Sequence, residues 1–524
     1  MCWAAACGPV DGPPAGRRLV VVAADGAGWP TLSPMMARGE LPRLAALYAR
    51  GSAGTLEAER PLSAAAVWTT AATGRPPAVH GIVFDVVRRP GTVELAPVTA
   101  DRRRSPALWS IASQRGATVG VAGWPATFPA EEVRGFLLAD GEGVPQGRGT
   151  MHPPGALAPG GESGEDLPLP AAGAEAARFG GPLEEAVRED LRQLSRAMTL
   201  MRVHQPDIMM LRFRSFDAAA HRHWQHHDPR MRELARVRGA APAGEEQRRL
   251  AEAVPAACRW LDAWIGLLEE RLPEDATLLI ASGFSIRGAG MRDFLHLDVN
   301  RLLERLGWLA REGEAIDWSR TRLFALDDAG RTPRALHLNV AGREPAGIVA
   351  RAGAPSAARE AAAMLSGLRT ESGEPLFAWA RAAEPALPGD PDVEAAENLS
   401  IDPAAWIAAG GKRVQVSQLF RRYGDLYAAH DPSGILLAAG KGIARGSSGW
   451  KAAATDLAPT VLALAGLSPD PGMAGRPIAA MLDPAPRPVE ARAFAGRPAP
   501  LPLRRDDEDS RRAVERLRQE GHLW

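Results

Sequence analysis

Leu19-Val20-Val21-Val22-Ala23-Ala24-Asp25-Gly26 is the stretch that decides the fold. Six apolar residues without helical spacing, bounded by a basic linker and by Asp-Gly, predict a buried strand ending in a turn. The strand then carries a carboxylate at its C-terminal end, the edge where open α/β sheets bind ligands. Similar apolar runs recur at Thr118 to Gly123, Ile208 to Arg212, Ala276 to Ala281 and Gly434 to Ala439, separated by helical patterns such as Leu183 to Val203 and Ala251 to Leu272. Strands alternating with helices predict an α/β protein with a three-layer, doubly wound, mostly parallel sheet.

The composition fits that class. The chain has 524 residues, 46% hydrophobic and 24% charged, which is enough for a sizeable core and excludes disorder and membrane spanning. With 62 basic against 62 acidic side chains the net charge is zero, so binding of nucleic acid or anionic lipid through bulk electrostatics is excluded. An anionic ligand must be met locally. The three cysteines, Cys2, Cys7 and Cys258, are too few and too scattered for a disulfide framework or a thiolate zinc site.

No stretch reaches the roughly 20 apolar residues of a transmembrane helix, and Met1 to Pro14 lacks the charged and apolar regions of a signal peptide. As it stands the sequence predicts a cytoplasmic protein. Ala4-Ala5-Ala6-Cys7-Gly8 resembles the end of a bacterial lipoprotein signal, so a start codon further upstream would make Cys7 a lipid anchor and the protein periplasmic. The expected organisation is a leader over 1–17, one domain over 18–482 with an insertion at 316–425, and a linker and C-terminal helix over 483–524. Thr150 to Gly164, rich in Pro and Gly, reads as a surface excursion. In the C-terminal run Arg504 to Glu520, Val514 and Leu517 are expected to dock on the main body.

Several short motifs then fall in a recognisable order. Asp25-Gly26 is followed by Trp68-Thr69-Thr70-Ala71-Ala72-Thr73-Gly74 with His80-Gly81-Ile82, and by Ala107-Leu108-Trp109 with Gly123-Trp124-Pro125-Ala126-Thr127. Later come Asp217-Ala218-Ala219-Ala220-His221, Asn339 to Pro345, and Asp456-Leu457-Ala458-Pro459-Thr460. Together they resemble the type I phosphodiesterase and nucleotide pyrophosphatase branch of the alkaline phosphatase superfamily. The resemblance implies an alkaline phosphatase-like fold, hydrolysis of phosphate esters of a small phosphorylated substrate, and two zinc ions at the sheet edge. Two ions about 4 Å apart clamp the oxygens of an in-line displacement, and they give a neutral chain its local charge for an anionic ester.

For one ion the resemblance implies Asp217, His221 and His430. Positions i and i+4 share a helix face, so Asp217 and His221 can converge. Such a pair alone also arises as a surface salt bridge; His430, in a His-x-x-x-Gly-Ile context before an apolar run, supplies the third ligand. Histidine and carboxylate ligands suit Zn²⁺, with Mn²⁺ as an alternative.

The second site is expected to be damaged. Asp25 matches its first ligand, but the nucleophile position, ten residues before Gly74, holds Ala64, with Ser63 beside it as a displaced nucleophile. The Asp-His pair implied after Ser282 is missing, because the sequence runs Ser282-Gly283-Phe284-Ser285. Asp293 and His296 lie downstream as a rescue that Asp298 to Leu303, resembling a separate helix, argues against. Two readings follow: an impaired metal-dependent phosphoesterase or phosphodiesterase, and an inactive pseudoenzyme that binds one metal or a phosphorylated ligand. His223, His226 and His227 read as a polar, partly exposed helix end, and His80 as a packing or capping residue.

Overall fold

A computed structural model describes residues 18–89, 92, 94–140, 149–157, 167–237, 244–289, 295–326, 333–385, 389–422, 428–484, 491–495 and 507–519. Cys2, Cys7, Asp293 and part of the 150–164 excursion lie outside these. The chain divides into two units, one of residues 1–85, 98–288 and 428–509, the other of 86–97, 289–427 and 510–524. Residues 316–425, the expected insertion, fall within the longest segment of the second unit, 289–427.

Among the described residues of the first unit, nine strands form one sheet. Its order is Ser448–Ala453, Ser52–Glu57, Ile435–Ala439, Thr277–Ser282, Leu19–Ala24, Ile208–Phe213, Val119–Trp124, Gly135–Ala139 and Met151–His152. Leu19–Ala24 pairs in parallel with both neighbours, and the parallel run continues to Gly135–Ala139. Ile435–Ala439 is antiparallel to Thr277–Ser282, and the short Met151–His152 adds an antiparallel edge where the surface excursion was expected.

The apolar runs are explained by burial on both faces. Val20, Val22 and Ala24 join one core cluster with Leu194, Trp260 and Ile265, while Leu19, Val21 and Ala23 join another with Trp68, Ile111 and Val461. Because successive strand side chains point to opposite faces, a strand covered by helices on both sides needs an unbroken apolar sequence. That is the three-layer α/β arrangement. Fully burying each Val or Leu contributes about 1.5–3 kcal/mol.

The second unit holds a four-stranded antiparallel sheet, Leu323–Ala325, Arg334–Leu338, Val393–Glu397 and Phe377–Ala382, with the helix Ala354–Gly367 packed in the same core. The Asn339 to Pro345 motif does structural work here: Arg343 forks onto Asp392 at 2.7 and 2.8 Å, and Glu344 forks onto buried Arg88 at 2.6 and 2.7 Å. In the C-terminal helix Asp507–Gln519, Val514 and Leu517 pack against Val86 of the same unit.

Candidate metal centre

Asp217 and His221 sit on the helix Ser215–His227, which starts directly after the strand Ile208–Phe213 and so rises from the C-terminal sheet edge. His430 reaches the same edge from the other direction. The antiparallel strand Ile435–Ala439 begins opposite Ser282, and His430 lies just ahead of it. It occupies a short strand, Ala428–Asp431. That strand pairs with Ser285–Gly288, placing His430 opposite Ile286.

These three side chains converge. His221 Nε2 and His430 Nε2 are 2.9 Å apart, Asp217 Oδ1 is 3.3 Å from His430 Nε2 and 3.6 Å from His221 Nε2. Ligand atoms about 2.0–2.1 Å from a tetrahedral ion stand about 3.3 Å apart, so the triangle has the size of one face of a zinc coordination shell. The donor chemistry also fits. His430 Nδ1 lies 2.7 Å from the carbonyl oxygen of Leu62, which can only accept, so Nδ1 carries the hydrogen and Nε2 of the neutral ring presents its lone pair to Asp217 and His221. Two imidazole nitrogens and a carboxylate oxygen facing one another call for a proton or a cation between them.

Electrostatics point the same way. Burial opposes the charged form of His430, but the Asp217 carboxylate, the Leu62 carbonyl and Asp85 together push its pKa up. The field that favours a proton there also favours a metal ion. Asp217 is buried while both histidines are partly exposed, so the centre is reachable from solvent. The Phe284 ring leans on His430 with centroids 4.3 Å apart and fixes its plane.

Asp25 is placed differently from the expected ligand role. Its Oδ2 accepts from Arg212 Nε at 2.8 Å and Nη2 at 2.7 Å, and its Oδ1 from Trp68 Nε1 at 2.5 Å. Trp68 in turn belongs to a buried row of motif tryptophans, with its ring 5.2 Å from that of Trp124, which lies 6.2 Å from Trp109. Among the described residues, the acidic and imidazole side chains close enough to share an ion are Asp217, His221 and His430, without Asp25.

Ser63 is the N-cap of the helix Ala64–Thr73. Its hydroxyl accepts from the Ala66 backbone N–H at 3.2 Å and donates to the Val83 carbonyl at 3.2 Å. Ala64 is the first helical residue. After Ser282 the chain passes through Gly283, where a Cβ would fall 2.4 Å from the Val67 side chain, and enters the next strand at Ser285. Between the two strands the chain thus has only Gly283 and Phe284, neither of them an acid or a histidine. His296 belongs to the second unit, and Asp293 lies outside the described residues.

Three participants escaped the sequence reading: Arg212 beside Asp25, the Leu62 carbonyl behind His430, and Asp85, whose Oδ1 accepts from Ala65 N at 2.8 Å. His223 and His226 are buried, not partly exposed: Gln247 of the helix Gly244–Ala251 lies 3.0 Å from His226 Nδ1, and the Phe179 ring stands 5.8 Å from that of His223. His223 is held neutral, with a pKa lowered to about 4 by burial and neighbouring cations.

Residues 19–442 match the family model described as type I phosphodiesterase / nucleotide pyrophosphatase. No curated protein matches the sequence. Among solved structures, the chain resembles human ectonucleotide pyrophosphatase / phosphodiesterase 5 at 13% identity and a TM-score of 0.45, over 86% of this chain and 95% of that one. It also resembles the murine protein of the same name in an inactive variant in complex with AMP, at 13% identity and a TM-score of 0.44, over 86% and 96% of the two chains. No described helix is long and apolar enough to cross a membrane.

Proposed function

Because the chain belongs to the type I phosphodiesterase / nucleotide pyrophosphatase family, we propose that it is a metal-dependent phosphoesterase whose turnover is impaired. The observation that carries this reading is the convergence of Asp217, His221 and His430 beside a helix start that offers Ser63 and Ala64 where the family resemblance implies a nucleophile. We read the resident ion as Zn²⁺, with Mn²⁺ as the alternative, and the ligand as a small phosphorylated molecule.

A divalent ion, when bound, would polarise a phosphoryl oxygen and supply the positive charge that the neutral chain lacks. The protein's own residues prepare the place for it. Leu62 fixes the tautomer of His430, Phe284 fixes its ring, and the helical spacing of Asp217 and His221 aims both at one point. Ser63 works as a cap in this reading. Its hydroxyl proton is directed at a backbone carbonyl, with no base among its hydrogen-bond partners to activate it for attack. Removing the nucleophile of another hydrolase costs about 10⁶ in turnover, which is the scale of impairment expected.

The test is hydrolysis of bis-p-nitrophenyl phosphate with Zn²⁺ or Mn²⁺. Slow, ion-dependent turnover is expected, abolished by His430→Ala and unchanged in Ser63→Ala. Collapse of turnover in Ser63→Ala would reinstate Ser63 as the nucleophile. The engaged hydroxyl also favours a second reading, a pseudoenzyme that binds a phosphorylated ligand through one ion. Ion-dependent ligand binding with no hydrolysis under any ion selects it.

A further inference from the structure

Two carboxylates buried close together need positive charge nearby. Asp25 and Asp217 are such a pair. Gly26 turns the chain between them with φ of +74°, and a Cβ there would fall 3.0 Å from Asp217 Oδ1. Burial raises the pKa of Asp25, Arg212 works against that rise, and the nearby Asp217 adds to it. Asp217 faces two imidazoles. Asp25 instead faces a guanidinium and an indole, with three N–H groups on its two oxygens.

The register of the sheet builds this arrangement. Arg212 lies opposite Ala23 in the parallel pairing of Leu19–Ala24 with Ile208–Phe213, so its side chain reaches Asp25 at the strand end. Arg212 is itself only 6% exposed and carries its charge at every physiological pH. Its Nη1 lies 3.5 Å from Asp140 Oδ2, so the guanidinium is braced by a second acid. A metal ion on Asp25 would have to approach a guanidinium that already holds Oδ2 through two N–H groups, while Trp68 holds Oδ1, and the Ser282-Gly283-Phe284 turn offers it neither an acid nor a histidine.

We infer that Arg212 is a built-in cation which takes the place of a second metal ion at Asp25, so that the centre holds one exchangeable ion and one fixed positive charge. This rests on reading Asp217, His221 and His430 as the site of the exchangeable ion. In this arrangement Asp25 is the counter-ion of Arg212, and Arg212 is a positioning residue that keeps Asp25 from competing with Asp217 for metal.

The experiment counts zinc per full-length chain after equilibration with Zn²⁺ and gel filtration, and measures melting temperatures alongside. One ion is expected in the wild type and in Asp25→Asn, and close to none in His430→Ala. Asp25→Asn and Arg212→Met should each lower the melting temperature by several degrees, since each strands a buried partner, and the double variant should recover most of the loss. Arg212→Lys keeps the charge and should keep one ion, which leaves the count decisive if Arg212→Met is too unstable to purify. Two ions in the wild type, loss of an ion in Asp25→Asn, or additive melting losses in the double variant would overturn the inference. No ion in the wild type with coupled melting losses would instead remove the metal reading of the triad and leave Asp25 paired with Arg212.

Discussion

His80 is fully buried, its Nδ1 accepting from Ile82 N at 3.1 Å and its Nε2 lying 2.9 Å from Thr70 Oγ1. An Nδ1 that accepts leaves the hydrogen on Nε2, so the ring is neutral, and burial followed by the charge of Arg103 holds its pKa down to about 3 from 6.5. In the unfolded chain the imidazole titrates normally and takes up a proton that the folded protein refuses. The stability His80 contributes is therefore complete above about pH 6.5 and is lost as the pH falls toward 3. Melting curves across that window should show a shallower acid loss in His80→Asn than in the wild type; identical slopes would contradict the neutral assignment. Ser63 makes a separate prediction at the same scale. Loss of its cap in Ser63→Ala should destabilise the protein by about 1 kcal/mol in urea melts, a cost typical of a helix N-cap, and a variant as stable as the wild type would show that the cap carries no energy.

The helix Ser215–His227 brings two of the three proposed ligands, and its start is held by a residue from another helix. Asp190 accepts from Arg214 N at 2.9 Å, from Ser215 N at 3.0 Å and from the Ser215 hydroxyl. The first-turn N–H groups of a helix lack intrahelical partners, so this carboxylate pins the element that sets the Asp217 and His221 positions. Asp190→Ala should weaken zinc affinity about tenfold in competition with a chromophoric chelator, on the scale of other residues that orient ligands from outside the coordination shell; unchanged affinity would mean the helix start is fixed by packing alone. The elements themselves were largely legible in the sequence. Strands at Leu19–Ala24, Ile208–Phe213, Thr277–Ser282 and Ile435–Ala439 lie within a residue or two of the apolar runs, because a strand buried on both faces must be apolar throughout. Asp217 and His221 were legible through the family resemblance, with which their helical spacing agrees. The ion pair of Asp25 with Arg212 was not, since it joins residues 187 apart through a sheet register that no local pattern encodes. Nor was the burial of His223 and His226, which depends on where Phe179 and the later helix Gly244–Ala251 come to rest.

At the scale of the molecule, the balance of 62 basic and 62 acidic side chains disfavours attraction of anions at long range, and the proposed phosphorylated ligand is met at one edge of one sheet. Four strands deliver the parts of that edge. Leu19–Ala24 ends at Asp25, its neighbour Ile208–Phe213 carries Arg212 and leads into the Asp217 helix, Thr277–Ser282 leads into the ribbon that holds His430, and Ile435–Ala439 leaves it. The family motifs outside this edge, including the tryptophan row and the Arg343 and Glu344 ion pairs, are occupied with packing. The family match thus extends over residues 19–442, while the proposed chemistry is concentrated in three side chains and a guanidinium at this edge. The most direct measurement is the number of zinc ions per full-length chain. One ion in the wild type, absent from His221→Ala and His430→Ala and retained in Asp25→Asn, is the expected result; two ions in the wild type, or an ion that survives loss of both histidines, would contradict it.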